Sequence, residues 1–203
     1  LPVNVSDSVC LTLEAATTPG LEVDKIYLLG GCDAAYQNVT GQCVSTLDKG
    51  YAFDPDTREF VATPTMPHSR FRFFATNVSD YVYIFGGRTA DNILVCDIDY
   101  LHVPSNTWGT VPGDGWTNGY CASDGAAWTG DDGTIYLVGG YDTNFTTAYG
   151  VVNRVTFAVD TDTGEPTGAT FETDETAKMT IPRGDLGCVR PPASPYAYCV
   201  GGF

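Results

Sequence analysis

The sequence predicts an all-β chain of short repeated units, and three observations predict it. First, 43% of the 203 residues are hydrophobic and 12% are aromatic. That is enough for a sizeable core and unlike a disordered chain. Second, the apolar runs are short and rich in Val, Ile, Tyr and Phe, while helical periodicity is almost absent. Third, one pattern returns four times: an apolar run that ends in a diglycine. The diglycines are Gly30-Gly31, Gly86-Gly87, Gly139-Gly140 and Gly201-Gly202, at steps of 56, 53 and 62 residues. A period near 50 with about four short strands per unit points to a β-propeller.

The units follow in order. The first, about 9–66, runs through Ile26-Tyr27-Leu28-Leu29 to its diglycine. A Tyr51-Ala52-Phe53 strand and an Asp54-Pro55-Asp56-Thr57 turn come next. The second, about 67–112, carries Val82-Tyr83-Ile84-Phe85, then Tyr100, a Val103-Pro104-Ser105-Asn106-Thr107 turn and Trp108. The third, about 119–180, carries Ile135-Tyr136-Leu137-Val138, then Phe157 and the turn Asp160-Thr161-Asp162-Thr163. Asn77-Val78-Ser79-Asp80 and Gly130-Asp131-Asp132-Gly133 each precede an apolar run, where they would join strand 1 to strand 2 as a hairpin. The last unit, 181–203, holds a single hairpin. This gives about three and a half four-stranded blades, an incomplete ring.

Met66-Pro67-His68-Ser69-Arg70 and Met179-Thr180-Ile181-Pro182-Arg183 complete the pattern. The order of diglycine, Tyr-containing strand, Asp turn, aromatic residue and Met-Pro-x-x-Arg resembles the kelch repeat of the galactose-oxidase/kelch-type propellers. The resemblance covers about residues 9–203. Phe60 stands where that family usually has Trp, Trp108 holds the Trp position, and the second unit lacks the Met-Pro-x-x-Arg segment. The resemblance implies that Arg70 and Arg183 tie one blade to the next, and that a full ring has six or seven blades. Three explanations for the short chain stay open: part of a longer protein, a proteolytic product paired with its remainder, or two copies sharing one ring.

Seven cysteines without any C-x-x-C spacing favour disulfides over a zinc site. Cys188 and Cys199 fall nearly opposite on the last hairpin, Cys32 and Cys43 bracket the loop after the first diglycine, and Cys96 and Cys121 share one side of the second and third units. Cys10 is left over, either paired beyond this chain or a free buried thiol. Sequons begin at Asn4, Asn38, Asn77 and Asn144, more than composition alone predicts. Both signals point to a secreted protein or one of an organelle lumen. The chain starts Leu1-Pro2 without a leader pattern, which reads as a processed or cropped start.

The formal net charge is −15, from 25 acidic and 10 basic residues. Nucleic acid is excluded as a partner, since phosphate binding needs clustered Lys and Arg. No apolar run approaches the roughly 20 residues of a membrane-spanning helix. Two histidines, His68 and His102, sit in different contexts, and Tyr120-Cys121 and Tyr198-Cys199 are strand neighbours whose side chains point to opposite faces. They argue against the copper radical oxidases of the resembled family. Asp160 to Glu165 lacks the third acidic position of a calcium loop and reads as a turn. Arg72 and Arg88 form the best anion-site candidate if both reach one face. No catalytic residue, metal or cofactor is expected. The reading is a non-catalytic binding or assembly module for a protein partner, the remaining blades or a glycan. The alternatives are a carbohydrate-active oxidase or sugar isomerase on the same fold, and a structural subunit completed by another chain.

Overall fold

The computed structural model describes residues 2–33, 43–191 and 194–203. The sequon at Asn38 lies outside them. Sixteen strands are described, and no helix. Strands β2 (Val9–Leu13), β3 (Lys25–Leu29), β5 (Gly50–Asp54) and β6 (Glu59–Ala62) form the first four-stranded antiparallel sheet, in the order β2-β3-β5-β6. Strands β7 (Phe74–Val78), β8 (Tyr81–Phe85), β9 (Asp99–His102) and β10 (Thr107–Thr110) form the second. The third comprises β11 (Ala126–Thr129), β12 (Ile135–Val138), β13 (Val151–Val159) and β14 (Pro166–Lys178). A two-stranded hairpin of β15 (Leu186–Val189) and β16 (Tyr198–Gly201) follows, and short β1 (Val5–Ser6) pairs with β4 (Cys32–Asp33).

The first strands of successive sheets lie side by side: β7 against β2 and β11, and β11 against β15. Sheets joined at their first strands and fanning outward make a β-propeller, here open, with three full blades and half of a fourth. Strand β8 shows why the blades stack. All five of its residues are buried. Period-2 alternation sends Val82 and Ile84 into the core shared with blade 1, beside Leu13, Leu29 and Phe73. Tyr81, Tyr83 and Phe85 point the other way, into the core shared with blade 3, beside Trp116 and Leu137. A continuous apolar run is what a strand buried on both faces requires.

The diglycines end the second strand of each unit, and their second N–H crosses to the next blade. Gly31 donates to the Arg70 carbonyl at 2.9 Å, Gly87 to Ala122 at 3.0 Å and Gly140 to Arg183 at 3.0 Å. Arg70, Ala122 and Arg183 are therefore equivalent positions. Two of them reach forward in the same way: Arg70 Nη1 donates to the Gly86 carbonyl at 3.0 Å, and Arg183 Nη1 to that of Gly201 at 3.2 Å. Ala122 has no such reach, and the junction it serves carries a disulfide instead. Cys96 of blade 2 is bonded to Cys121, the residue before Ala122. Replacing both by Ser removes a crosslink spanning 25 residues. The expected loss is about 3 kcal/mol. Urea unfolding reads the loss, and amide exchange in blade 3 should rise more than in blade 1.

The other two disulfides are Cys32–Cys43 and Cys188–Cys199, the latter between residues directly opposite in the β15–β16 register. Three disulfides fit an oxidising compartment. No helix among the described residues is long and apolar enough to cross a membrane. Cys10 is the free cysteine, and it is exposed rather than buried. It sits on β2, the innermost strand of blade 1, facing the open inner channel.

Candidate functional site

A second set of main-chain bonds runs across the inner ends of the blades. Arg72 N–H donates to the Asp7 carbonyl at 2.9 Å, Asp124 N–H to that of Arg72 at 2.8 Å and Asp185 N–H to that of Asp124 at 2.7 Å. Each link steps from one blade to the next. All four residues have left-handed backbone, with φ of 54° at Asp7, 57° at Arg72, 63° at Asp124 and 53° at Asp185. Such φ values are uncommon outside Gly, least so for Asp and Asn. The relay brings the side chains of Asp7, Arg72 and Asp124 together. Arg72 Nε lies 3.0 Å from Asp7 Oδ1 and 3.4 Å from Asp124 Oδ1.

Above this relay opens a cleft of about 550 Å³, lined by Arg72, Tyr141, Phe145, Thr146, Ala148, Pro182, Asp185 and Phe203. Its wall is the loop after the third diglycine. Asp142 holds that loop by accepting from the N–H groups of Thr146 at 2.9 Å and Thr147 at 3.2 Å. Arg88 holds it from beneath. This guanidinium is wholly buried, donates to Ser123 Oγ at 2.8 Å, the Asn92 carbonyl at 3.0 Å and the Thr143 carbonyl at 2.9 Å, and also bonds the Asp142 carbonyl. It stacks 3.6 Å from the centre of the Phe145 ring. Buried Arg88 therefore positions the aromatic wall.

These contacts overturn the anion-site expectation for Arg72 and Arg88. Arg88 donors are committed to Ser123 and to the carbonyls of Asn92, Asp142 and Thr143, and Arg72 is held through Nε by Asp7 and Asp124. Arg88 offers no free fork to an anion, so the two guanidiniums do not act as a pair.

Asp124 is the unusual titrating group here. Burial pushes its carboxyl up to about 6, with the adjacent Asp185 adding to the rise and the Ser123 hydroxyl and Arg72 opposing it. Its Oδ2 is buried and has no hydrogen-bond donor. The sign follows: the folded protein holds this proton more tightly than the unfolded chain does. Stability from this group is present below about pH 4 and is lost as pH rises through about 6, by roughly 3 kcal/mol. Asp124→Asn keeps the backbone preference and should flatten this part of the pH profile. Urea unfolding of both proteins between pH 4 and 7 measures the difference.

The other singled-out residues lie elsewhere. Arg70 is wholly buried and paired to Asp99 at 2.6 Å, while Arg183 is half-buried and bonds the carbonyls of Ile181 and Gly201. Trp108 packs half-buried against the core between blades 1 and 2. His68 bonds Asp99 at 3.0 Å, and His102 bonds Ser105 at 2.7 Å and Asp80 at 3.2 Å, in separate places. Cys121 and Cys199 are in disulfides, which removes both from any thioether with Tyr120 or Tyr198. Asp160 spends its carboxylate on the N–H groups of Asp162 and Thr163, as Asp54 does on Asp56 and Thr57. Asn4 and Asn144 are exposed, and Asn77 is half-buried on β7, lining the inner channel. Sequence reasoning passed over Asp7, Asp124, Asp185 and Phe145. A faint signal existed: Arg72, Asp124 and Asp185 each stand 15 to 17 residues before the second Gly of their unit.

No protein-family model matches the chain, and no curated protein matches it. Solved structures do match, 161 chains in all. One is the structure of YjhT, at a TM-score of 0.61 and 12% identity, covering 93% of this chain and 60% of that one. The chain thus spans less than two thirds of the YjhT chain it resembles. It shares with YjhT an all-β propeller-like fold.

Proposed function

We propose that this chain is a non-catalytic, secreted or lumenal kelch-type propeller module that binds a partner through its axial cleft. The observation that carries the reading is the cleft itself. Aromatic rings of Tyr141, Phe145 and Phe203 converge with polar Arg72 and Asp185 around about 550 Å³. Apolar walls with a few placed polar groups are the usual make-up of a ligand site. Buried Arg88 and the main-chain relay hold that geometry in place. The four diglycines and the paired arginines support the kelch assignment, and the disulfides with the exposed sequon at Asn4 support a secretory route. The test is to screen immobilised protein against glycans and secreted proteins, with Phe145→Ala alongside. A ligand held by the wild type and lost by the variant supports the reading. Ligands indifferent to Phe145→Ala contradict it.

One observation favours a second reading, completion by further strands. All four residues of β16 are exposed, and the edge away from β15 has no strand beside it among the described residues. Tyr198 and Val200 are 54% and 71% exposed there. Such an edge invites strand addition. Light scattering decides: a folded, well-behaved monomer counts against it.

A further inference from the structure

We infer that the axial cleft docks a proline-rich segment of a partner protein, its rings laid against Tyr141, Phe145 and Phe203 and its carbonyls accepting from the Arg72 guanidinium. The inference rests on the cleft being a binding site and names the chemistry of the partner.

The open donors come first. Arg72 lines the cleft. Its Nε is held by Asp7 and Asp124, while Nη1 and Nη2 have no hydrogen-bond partner among the described residues. The other polar side chains of the wall are engaged. The Tyr141 hydroxyl donates to the Phe203 carbonyl, Thr146 Oγ1 donates to Asp142 Oδ2 at 3.2 Å, and the Asp185 carboxyl shares a hydrogen bond with that of Asp124. What the cleft leaves open is a fork of donors, and its ligand must bring acceptors.

Charge comes second and decides which acceptor. Asp7, Asp124 and Asp185 surround Arg72, in a chain of net charge −15. An anion at the fork meets all of these carboxylates, so the field opposes it. A neutral carbonyl takes the same donors without that repulsion.

The walls come third. Tyr141 lies 6.0 Å from Phe145 and 6.4 Å from Phe203, ring centre to ring centre, and Ala148 and Pro182 extend the apolar surface. Aromatic-lined grooves are how proteins receive proline-rich segments, whose flat apolar rings stack on the aromatic faces. Such a segment forms a polyproline II helix advancing about 3.1 Å per residue, so each ring spacing matches about two of its residues. A polyol brings a donor with every acceptor, and an ordinary peptide brings an N–H with every carbonyl. Proline brings the carbonyl alone, on a backbone whose φ is already fixed.

The test titrates acetyl-hexaproline amide into the intact chain, with an acetylated Gly-Ser hexapeptide amide and N-acetylpyrrolidine as controls. The expected result is saturable binding of hexaproline at or below about 1 mM and none of the Gly-Ser peptide. Arg72→Lys keeps the charge and removes the fork, and should weaken hexaproline about tenfold. Phe203→Ala should weaken it as well with an unchanged melting curve, since Phe203 is 86% exposed. That variant keeps the test open if Arg72→Lys also loosens the relay. Absence of saturable hexaproline binding, equal binding of the Gly-Ser peptide, or an affinity untouched by Phe203→Ala overturns the inference. N-acetylpyrrolidine binding as tightly as hexaproline assigns the cleft to a lone tertiary amide and overturns the protein partner. If Phe145→Ala still abolishes capture of some glycan or other protein, the cleft remains a binding site and only its proline chemistry falls.

Discussion

Arg70→Ala should lower the free energy of unfolding by about 3–5 kcal/mol and Tm by roughly 10 °C. Arg70 and Asp99 are both wholly buried, and their charges meet at 2.6 Å. Asp99 also accepts from Thr110 Oγ1 at 2.8 Å. Removing the guanidinium leaves the buried Asp99 carboxylate facing an empty space, with only His68 and Thr110 as its remaining side-chain partners. It also removes bonds to the carbonyls of Gly86 and Asp97, so the segment that accepts the Gly31 N–H of blade 1 loses its side-chain anchor within blade 2. The penalty comes mainly from the stranded charge. Arg183 provides the comparison, because it stands at the equivalent position but is only half-buried and contacts only carbonyls. Arg183→Ala should cost no more than about 1 kcal/mol. Equal losses for the two variants, read by urea unfolding, would contradict the ion-pair account.

Gly86→Ala should cost about 3 kcal/mol or more, from two separable sources. Gly86 has φ of 63°, and an added Cβ would lie 2.0 Å from the Ala122 carbonyl oxygen. That oxygen belongs to the main chain of the next blade and accepts the Gly87 N–H, so relief of the clash breaks an inter-blade bond. Gly113 separates the two sources. Its φ is 117°, but nothing lies within 4 Å of an added Cβ. Gly113→Ala carries the backbone strain alone, about 1–2 kcal/mol. The difference between the two variants measures the blade contact, and a difference near zero would show that the blades do not meet there.

The blades themselves were legible because their information is periodic. The alternation in Val82-Tyr83-Ile84-Phe85 is the pattern of a strand with a neighbour on each face. The diglycines fall in phase because a close main-chain approach recurs once per unit. The pairing of Cys188 with Cys199 followed from counting outward along a hairpin. The axial site was not legible in the same way. Its relay is made of main-chain bonds, and any side chain that tolerates left-handed backbone can occupy it, so Arg72 and Asp124 share a position without resembling one another. The role of Arg88 was hidden for a related reason. Three of its four acceptors lie on other segments, and two of those are carbonyls, which leave no trace in sequence. The missing Arg at Ala122 was visible as a gap, and only the structure shows the Cys96–Cys121 bond at the same junction. Of the two readings for Cys10, burial fails, because its strand faces a channel and no further blade covers it among the described residues.

The claim on which the site depends is that main-chain bonds at the axis join the blades into one body. Native-state hydrogen exchange tests it at six amides: Gly31, Gly87 and Gly140, which cross between blades, and Arg72, Asp124 and Asp185, which form the relay. All six should be protected, and the Gly87 and Asp124 amides should open only with global unfolding. Rapid exchange at Arg72, Asp124 and Asp185 while the strand amides of blades 2 and 3 stay protected would mean that the blades fold separately and that the axial cleft does not exist.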